Sequence, residues 1–167
     1  MNWKKGIAVA LSAISIMAMV AGCGSNTATN DQKNLGVIQL VEHPSLDAAN
    51  KGFVDGLASK GYKDGENIKL DQQNAQADQS NLNSIAQRFV SDKKDLVLAI
   101  ATPAAQTMAN ASHDIPIMGT AITDYVTAKL VQSNEHPGGN VSGTSDMTPV
   151  EKEVDLIIAL VPNVKRI

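Results

Sequence analysis

Short hydroxyl- and acid-bearing stretches recur where apolar runs end in this chain. Glu42-His43 follows the run at 35–41, and Thr102-Pro103-Ala104 follows 96–101. Ala121, Thr123 and Asp124 follow 115–119, and Ser145-Asp146 follows 141–144. Hydroxyls and unpaired N–H groups can take a carboxylate, and an aspartate can take an ammonium, so the set suits a zwitterion. Asp124 also reads as a cap for the helix after it, and Ser145 or Asp146 as a cap for a helix opened by Pro149. Capping and ligand contact are compatible. No stretch supplies an enzyme: there is no Gly-x-Ser-x-Gly elbow, no Gly-x-x-x-x-Gly-Lys and no Gly-x-Gly-x-x-Gly after the first apolar run. His43, His113 and His136 lack metal-ligand spacing, and His113 and His136 read as solvated loop residues. No cofactor is called for.

The elements that must position these residues alternate. Strands are expected at 35–41, 67–72 (an edge strand), 96–101, 115–119 and 141–144. Pro116 sits awkwardly in the fourth, because it has no ladder donor. Helices are expected at 46–60, with Ser45 as cap; at 80–91; from Pro103 to near Asn110; and from Pro149 until Pro162 closes it. Residues 125–133 make no more than a short helix. Leu46, Ala49, Phe53, Val54 and Leu57 share one face of the first helix, and Leu82, Ile85, Ala86, Phe89 and Val90 one face of the second. Val150, Val154, Ile157, Ile158 and Leu160 are expected inward on the last. Thr102 reads as the N-cap of the third helix and Pro103 as its first residue. Strand–helix alternation implies an α/β fold with a doubly wound parallel sheet and right-handed crossovers. In such a sheet the loops 42–45, 102–104, 120–124 and 145–148 converge on one edge, where ligands bind.

Composition narrows the classes. The 167 residues carry a formal charge of −3 and few aromatics, so the core must be aliphatic. An acidic chain without a basic stripe argues against nucleic acid. The single cysteine excludes an internal disulfide and a cysteine-rich zinc site.

That cysteine closes an N-terminal address. Lys4 and Lys5 precede a largely apolar stretch at 6–20, followed by Val20-Ala21-Gly22-Cys23. This is the layout of a secretory signal, and its end resembles a bacterial lipobox. The resemblance implies a signal peptide over 1–22, cleavage before Cys23 and lipidation of Cys23. Residues 23–33 then read as a flexible tether.

The loop sequences are similar to those of a known family. The matching words are Gly52-Phe-Val-Asp-Gly-Leu, Asn74-Ala-Gln-Ala-Asp-Gln, Ile100-Ala-Thr-Pro-Ala-Ala-Gln, Thr120-Ala-Ile-Thr-Asp, Glu135-His-Pro-Gly-Gly-Asn-Val and Ser145-Asp-Met-Thr-Pro. They resemble the substrate-binding lipoproteins of ABC importers for aromatic amino acids, chiefly tryptophan and tyrosine. The resemblance implies a type I periplasmic-binding fold, in which two hinged α/β lobes close on a small ligand. It implies ABC permease subunits as partners and an extracytoplasmic place on a bacterial membrane, held by the lipid. It turns Thr102-Pro103-Ala104, Thr123-Asp124 and Ser145-Asp146 toward the cleft, with residues 39–43 beside it. Tyr125 stands where the family tends to have proline, so its ring could enter the cleft or reshape the loop. Family members are about twice this length, as two lobes require. On that basis 34–145 is a first lobe, and 146–167 a crossover helix with the start of a truncated second lobe. The apolar face of that helix would then fold back or stay exposed. A sugar- or nucleoside-type binder of the same fold would want stacking aromatics at these loops. A flavodoxin-like enzyme would want a glycine in the first loop, and Glu42-His43-Pro44-Ser45 has none.

Overall fold

A computed structural model describes residues 32–166; the expected signal peptide, Cys23 and most of the expected tether lie outside the described residues. The strands are β1 (Lys33–Gln39), β2 (Ile68–Asn74), β3 (Leu96–Ile100), β4 (Ile117–Ile122) and β5 (Val141–Ser145). The helices are α1 (Pro44–Ser59), α2 (Gln79–Ser91), α3 (Thr102–Ala111) and α4 (Val150–Leu160). All strand pairs are parallel, in the order β2-β1-β3-β4-β5. The expected α/β class and doubly wound parallel sheet are therefore present.

Four expected boundaries moved for identifiable reasons. β4 begins after Pro116 rather than through it. The proline has no N–H to give, but its carbonyl accepts from Val97 N–H at 2.9 Å. Thr120 and Ala121 consequently belong to β4 and not to a loop. Ser45 lies inside α1, and His43 is the N-cap, its Nδ1 accepting from Ser45 N–H at 3.3 Å. Residues 125–129 form hydrogen-bonded turns rather than a helix: Ala128 N–H reaches Asp124 O, and then Lys129 at φ 58° breaks the run.

The sheet's two faces are covered unequally. Leu82, Ile85, Ala86 and Phe89 of α2 and Ala104, Ala105 and Met108 of α3 pack on one face, against Ile38, Val97, Ala99 and Ile117. On the other, Val37, Leu98 and Ile100 lie under Leu46 and Phe53 of α1. The apolar face expected for α1 is the one turned to the sheet, yet none of its residues is fully buried. In α4 no residue is buried, against expectation: Val154 and Ile157 are half-covered, while Val150, Ile158 and Leu160 are exposed.

With so few aromatics, one ring carries much of the larger core. Phe89 is fully buried and lies over Gly36 of β1, where an added Cβ would sit 2.7 Å from the ring. Lys94 covers the same ring at 5.2 Å, and its buried ammonium reaches Asp71 at 3.2 Å and the Asn34 side-chain carbonyl at 3.0 Å. The long stem of Lys94 runs into the domain rather than into solvent. Burial pushes the Asp71 carboxyl upward. The Gln73 amide, Lys94 and Arg88 together outweigh that and hold it below its ordinary value of 3.8.

Two tests follow from this packing. Gly36→Ala should cost about 2 kcal/mol by overpacking, and Phe89→Leu on that background should lose less than the sum of the two. Urea unfolding of the four variants in the cycle measures it. Because the folded-state pKa of Asp71 is depressed, its stabilisation is complete above its unfolded pKa and fades as pH falls through the lower folded value. Asp71→Asn should therefore be less stable at neutral pH and should lose less further stability below pH 3.8, read from thermal midpoints across an acid series.

Candidate functional site

Chain order reverses between β1 and β3: β1 leads outward to β2, and β3 leads the other way to β4 and β5. Side chains and loops at the carboxyl ends of these two strands flank a crevice, the usual ligand position in open α/β sheets. Backbone bonds tie the loops along this rim. Ala75 N–H donates to Gln39 O and Ala77 N–H to Leu40 O; Ala101 N–H reaches Thr120 O, and Asp146 N–H reaches Ile122 O. Beneath the first loop, Gln39 is 4% exposed and its amide donates to Val41 O at 2.9 Å and to Asp47 at 2.6 Å. That bond fixes where β1 hands over to α1.

The start of α3 is built differently from its sequence reading. Thr102 is not the cap. The N-cap is Ala101, at φ 82° and ψ 152° with no side-chain hydrogen bond, and Thr102 is the first helical residue. That backbone region is nearly exclusive to glycine, so an alanine there stores strain. The first helical bond runs from Ala105 N–H to Ala101 O at 3.2 Å. The N–H groups of Thr102 and Ala104 precede it at the positive end of the helix, and Pro103 between them has none to offer. Ala104 has its side chain fully buried in the core, so only its backbone can meet a ligand. Ala121, at φ 55°, and Ala77, at φ 60° in the loop after β2, are two further alanines at positive φ along this rim, and Ala121 packs toward Val37, Leu98 and Ile100. Nothing in the sequence marks these alanines, since positive φ is ordinarily glycine's.

The last two loops spend part of their polarity on each other. Asp124 caps its own turn, with one carboxylate oxygen accepting from Val126 N–H and Thr127 N–H and the other from the Thr127 hydroxyl at 2.7 Å. The Thr127 N–H first, then its hydroxyl, and Val126 N–H hold the Asp124 carboxyl below its usual range, so it stays an anion. Ser145 ends β5. Its hydroxyl donates to Thr123 O at 2.6 Å and accepts from Met147 N–H, so neither it nor Asp146 caps α4, whose N-cap is Pro149. Thr120 and Thr144 share a hydroxyl–hydroxyl bond at 3.0 Å.

Tyr125 stays out of the cleft. It is 6% exposed, lies over Gly119 and Gly143 where added Cβ atoms would strike it, and donates to Thr144 O at 3.1 Å. Burial, and then the nearby Asp146 charge, raise its pKa to about 12, which keeps that donor protonated. Glu42, His43, Thr123, Ser145 and Asp146 are exposed, and Thr102, Pro103, Ala121 and Asp124 are half-buried. The topology thus carries all four expected loops to one edge. Among the described residues, the side-chain oxygens of Glu42, Thr102, Thr123 and Asp146 are left without a hydrogen bond.

Comparison with known proteins bears on the family and the fold. Residues 34–167 match the family described as ABC transporter substrate binding protein. A curated relative, the tyrosine-binding protein of Clostridioides difficile strain R20291, is 51% identical over 98% of this chain and 51% of its own length. The ABC domain from Streptococcus pneumonia in complex with L-Trp is 48% identical, with a TM-score of 0.77 over 80% of this chain and 45% of that one. A ligand-free, open substrate binding protein with adhesive properties from Clostridium difficile is 54% identical, with a TM-score of 0.73 over 78% of this chain and 44% of that one. The chain spans about half the length of the curated relative it matches. Its parallel sheet, its rim and these similarities place it in the ABC transporter substrate-binding protein family, with the type I periplasmic-binding fold.

Proposed function

We propose that this chain forms the first lobe of a solute-capture subunit of an ABC importer and binds an aromatic amino acid by its zwitterionic end. The observation that carries this reading is the pairing of free acceptors and donors along one rim. The Thr102 and Thr123 hydroxyls and the α3 N–H groups receive the carboxylate, and Asp146 receives the ammonium, while Glu42 stands on the β1 side of the crevice. Asp124 adds fixed negative charge behind Thr123. His43, Pro103, Ala121 and Ser145 wall the half-site, and Ala104 contributes through its N–H. Relatives about half identical to this chain are named for tyrosine or hold L-Trp, which supports the ligand class. With Tyr125 buried, no phenyl, phenol or indole ring among the described residues reaches the rim, which disfavours a sugar stacked on such rings. The apolar surface for the ligand's side chain then falls to a second lobe that closes by hinge motion. Cys23, lipidated after loss of residues 1–22, ties the subunit outside the cell membrane beside its permease.

Calorimetry on a chain carrying both lobes tests the proposal. Heat is expected with tryptophan or tyrosine and none with glucose, and silence toward every amino acid would refute it. In that chain Asp146→Asn should weaken binding about tenfold, the cost of an ammonium left without its anion. Ala101→Gly releases the strained turn. It should raise unfolding stability by about 1 kcal/mol while loosening the α3 N-terminus and lowering affinity, read from denaturation and titration of one preparation.

A further inference from the structure

We infer that Tyr125 is a positioning residue for the ligand's ammonium: its ring and hydroxyl clamp a bulge between β4 and β5, and the clamp sets where the Asp146 carboxylate stands. The inference rests on the role proposed above for Asp146. Pairing of the last two strands slips at the rim. Gly119 is opposite Gly143, but Ile122 is opposite Ser145, so Thr120 and Ala121 of β4 face Thr144 alone on β5. An extra residue on one strand is a β-bulge, which bends that strand and re-aims the side chains beside it. Ala121, at φ 55°, lies in the bend. Asp146 is the first residue beyond β5 and follows directly on Ser145, where pairing resumes.

Tyr125 holds this irregularity from both strands. Its phenol lies against the Gly119–Gly143 pair just before the bulge: a Cβ on Gly119 would sit 2.5 Å from the phenol oxygen, and one on Gly143 would strike it too. Its hydroxyl donates to Thr144 O, opposite the bulge, at 3.1 Å. The Thr120 and Thr144 hydroxyls bridge the same two strands at 3.0 Å. Just beyond, Asp146 N–H reaches Ile122 O at 3.2 Å and the Ser145 hydroxyl reaches Thr123 O at 2.6 Å. The phenol has one proton and spends it on Thr144 O, so it steers Asp146 without occupying the carboxylate. Burial first, and then the Asp146 charge, push the phenol up to about 12, so the carboxylate lies within electrostatic reach of the ring. Among the described residues nothing bonds to the Asp146 carboxylate, so its direction follows the backbone that carries it. That backbone leaves the sheet at the clamp.

Tyr125→Phe keeps the ring on the two glycines and removes only the hydroxyl. In the chain carrying both lobes it should weaken L-tryptophan binding about fivefold by calorimetry, as loss of one hydrogen bond does. Indole-3-propionate has the same ring and carboxylate without the ammonium, and its affinity should change by less than about twofold. On an Asp146→Asn background the same substitution should leave tryptophan affinity unchanged, because the group it positions has lost its charge. Hydrogen exchange on the 167-residue chain reads the clamp without ligand. The Asp146 amide should exchange at least about tenfold faster in Tyr125→Phe, while the Ala75 amide, bonded to Gln39 O on the β1 side of the crevice, keeps its rate. Equal losses for tryptophan and indole-3-propionate, or an Asp146 amide that does not respond, overturn the inference and leave Asp146 its proposed role. An unsubstituted two-lobe chain that binds no amino acid overturns that role itself, and the inference with it.

Discussion

Parallel pairing is the constraint from which the rest of this molecule follows. A parallel strand cannot be joined to its neighbour by a tight turn, so the chain must cross back over a face of the sheet after every strand. Each crossing begins where a strand ends, and all strands end on one edge. Polar residues that would be scattered in a hairpin fold are thereby collected into a single row. The reversal between β1 and β3 then opens a crevice in that row, and the Ala101 and Asp146 backbone bonds hold its members side by side.

Close approach of rings to backbone keeps this thin sheet packed. Gly36 lets Phe89 lie flat on β1, and Gly119 with Gly143 lets Tyr125 lie across β4 and β5. Both rings also meet a polar group, the Lys94 ammonium over Phe89 and Thr144 O at the Tyr125 hydroxyl. Each ring therefore fixes a strand pair and a loop at once, which is how two buried rings can organise a domain otherwise filled by aliphatic side chains.

The elements were legible wherever a pattern repeats. Helical spacing found the buried stripe of α2, and the unbroken run at 96–101 found β3. What escaped was decided by single backbone angles and by long side chains. Thr102 looks like a cap because threonine usually is one, but the turn is made one residue sooner by an alanine at positive φ. Lys94 looks solvated because lysine usually is, yet Asp71 and Asn34 await it inside. Ser145 looks like a cap for α4, but Thr123 O, brought close by the β4–β5 pairing, captures its hydroxyl instead. In each case a contact distant in sequence overrode a local preference, and no local reading contains such contacts.

The same competition shapes the candidate site. Asp124 and Ser145, the most conspicuous polar groups of the rim by sequence, are partly consumed in holding the rim's shape. Groups with weaker sequence signals, such as the Thr123 hydroxyl and the Thr102 N–H, are left to face outward. Under the proposed reading, a ligand arriving there would meet a scaffold already bonded to itself, with little ordering left to do. The strain held at Ala101 belongs to that logic. An alanine in a glycine-like conformation costs stability, and it keeps the first turn of α3 aimed across the crevice, where a glycine would let it wander. Under the proposed two-lobe capture, rigidity on this lobe would give a closing partner lobe something to press against, because a jaw that yields on contact cannot convert closure into burial of a ligand.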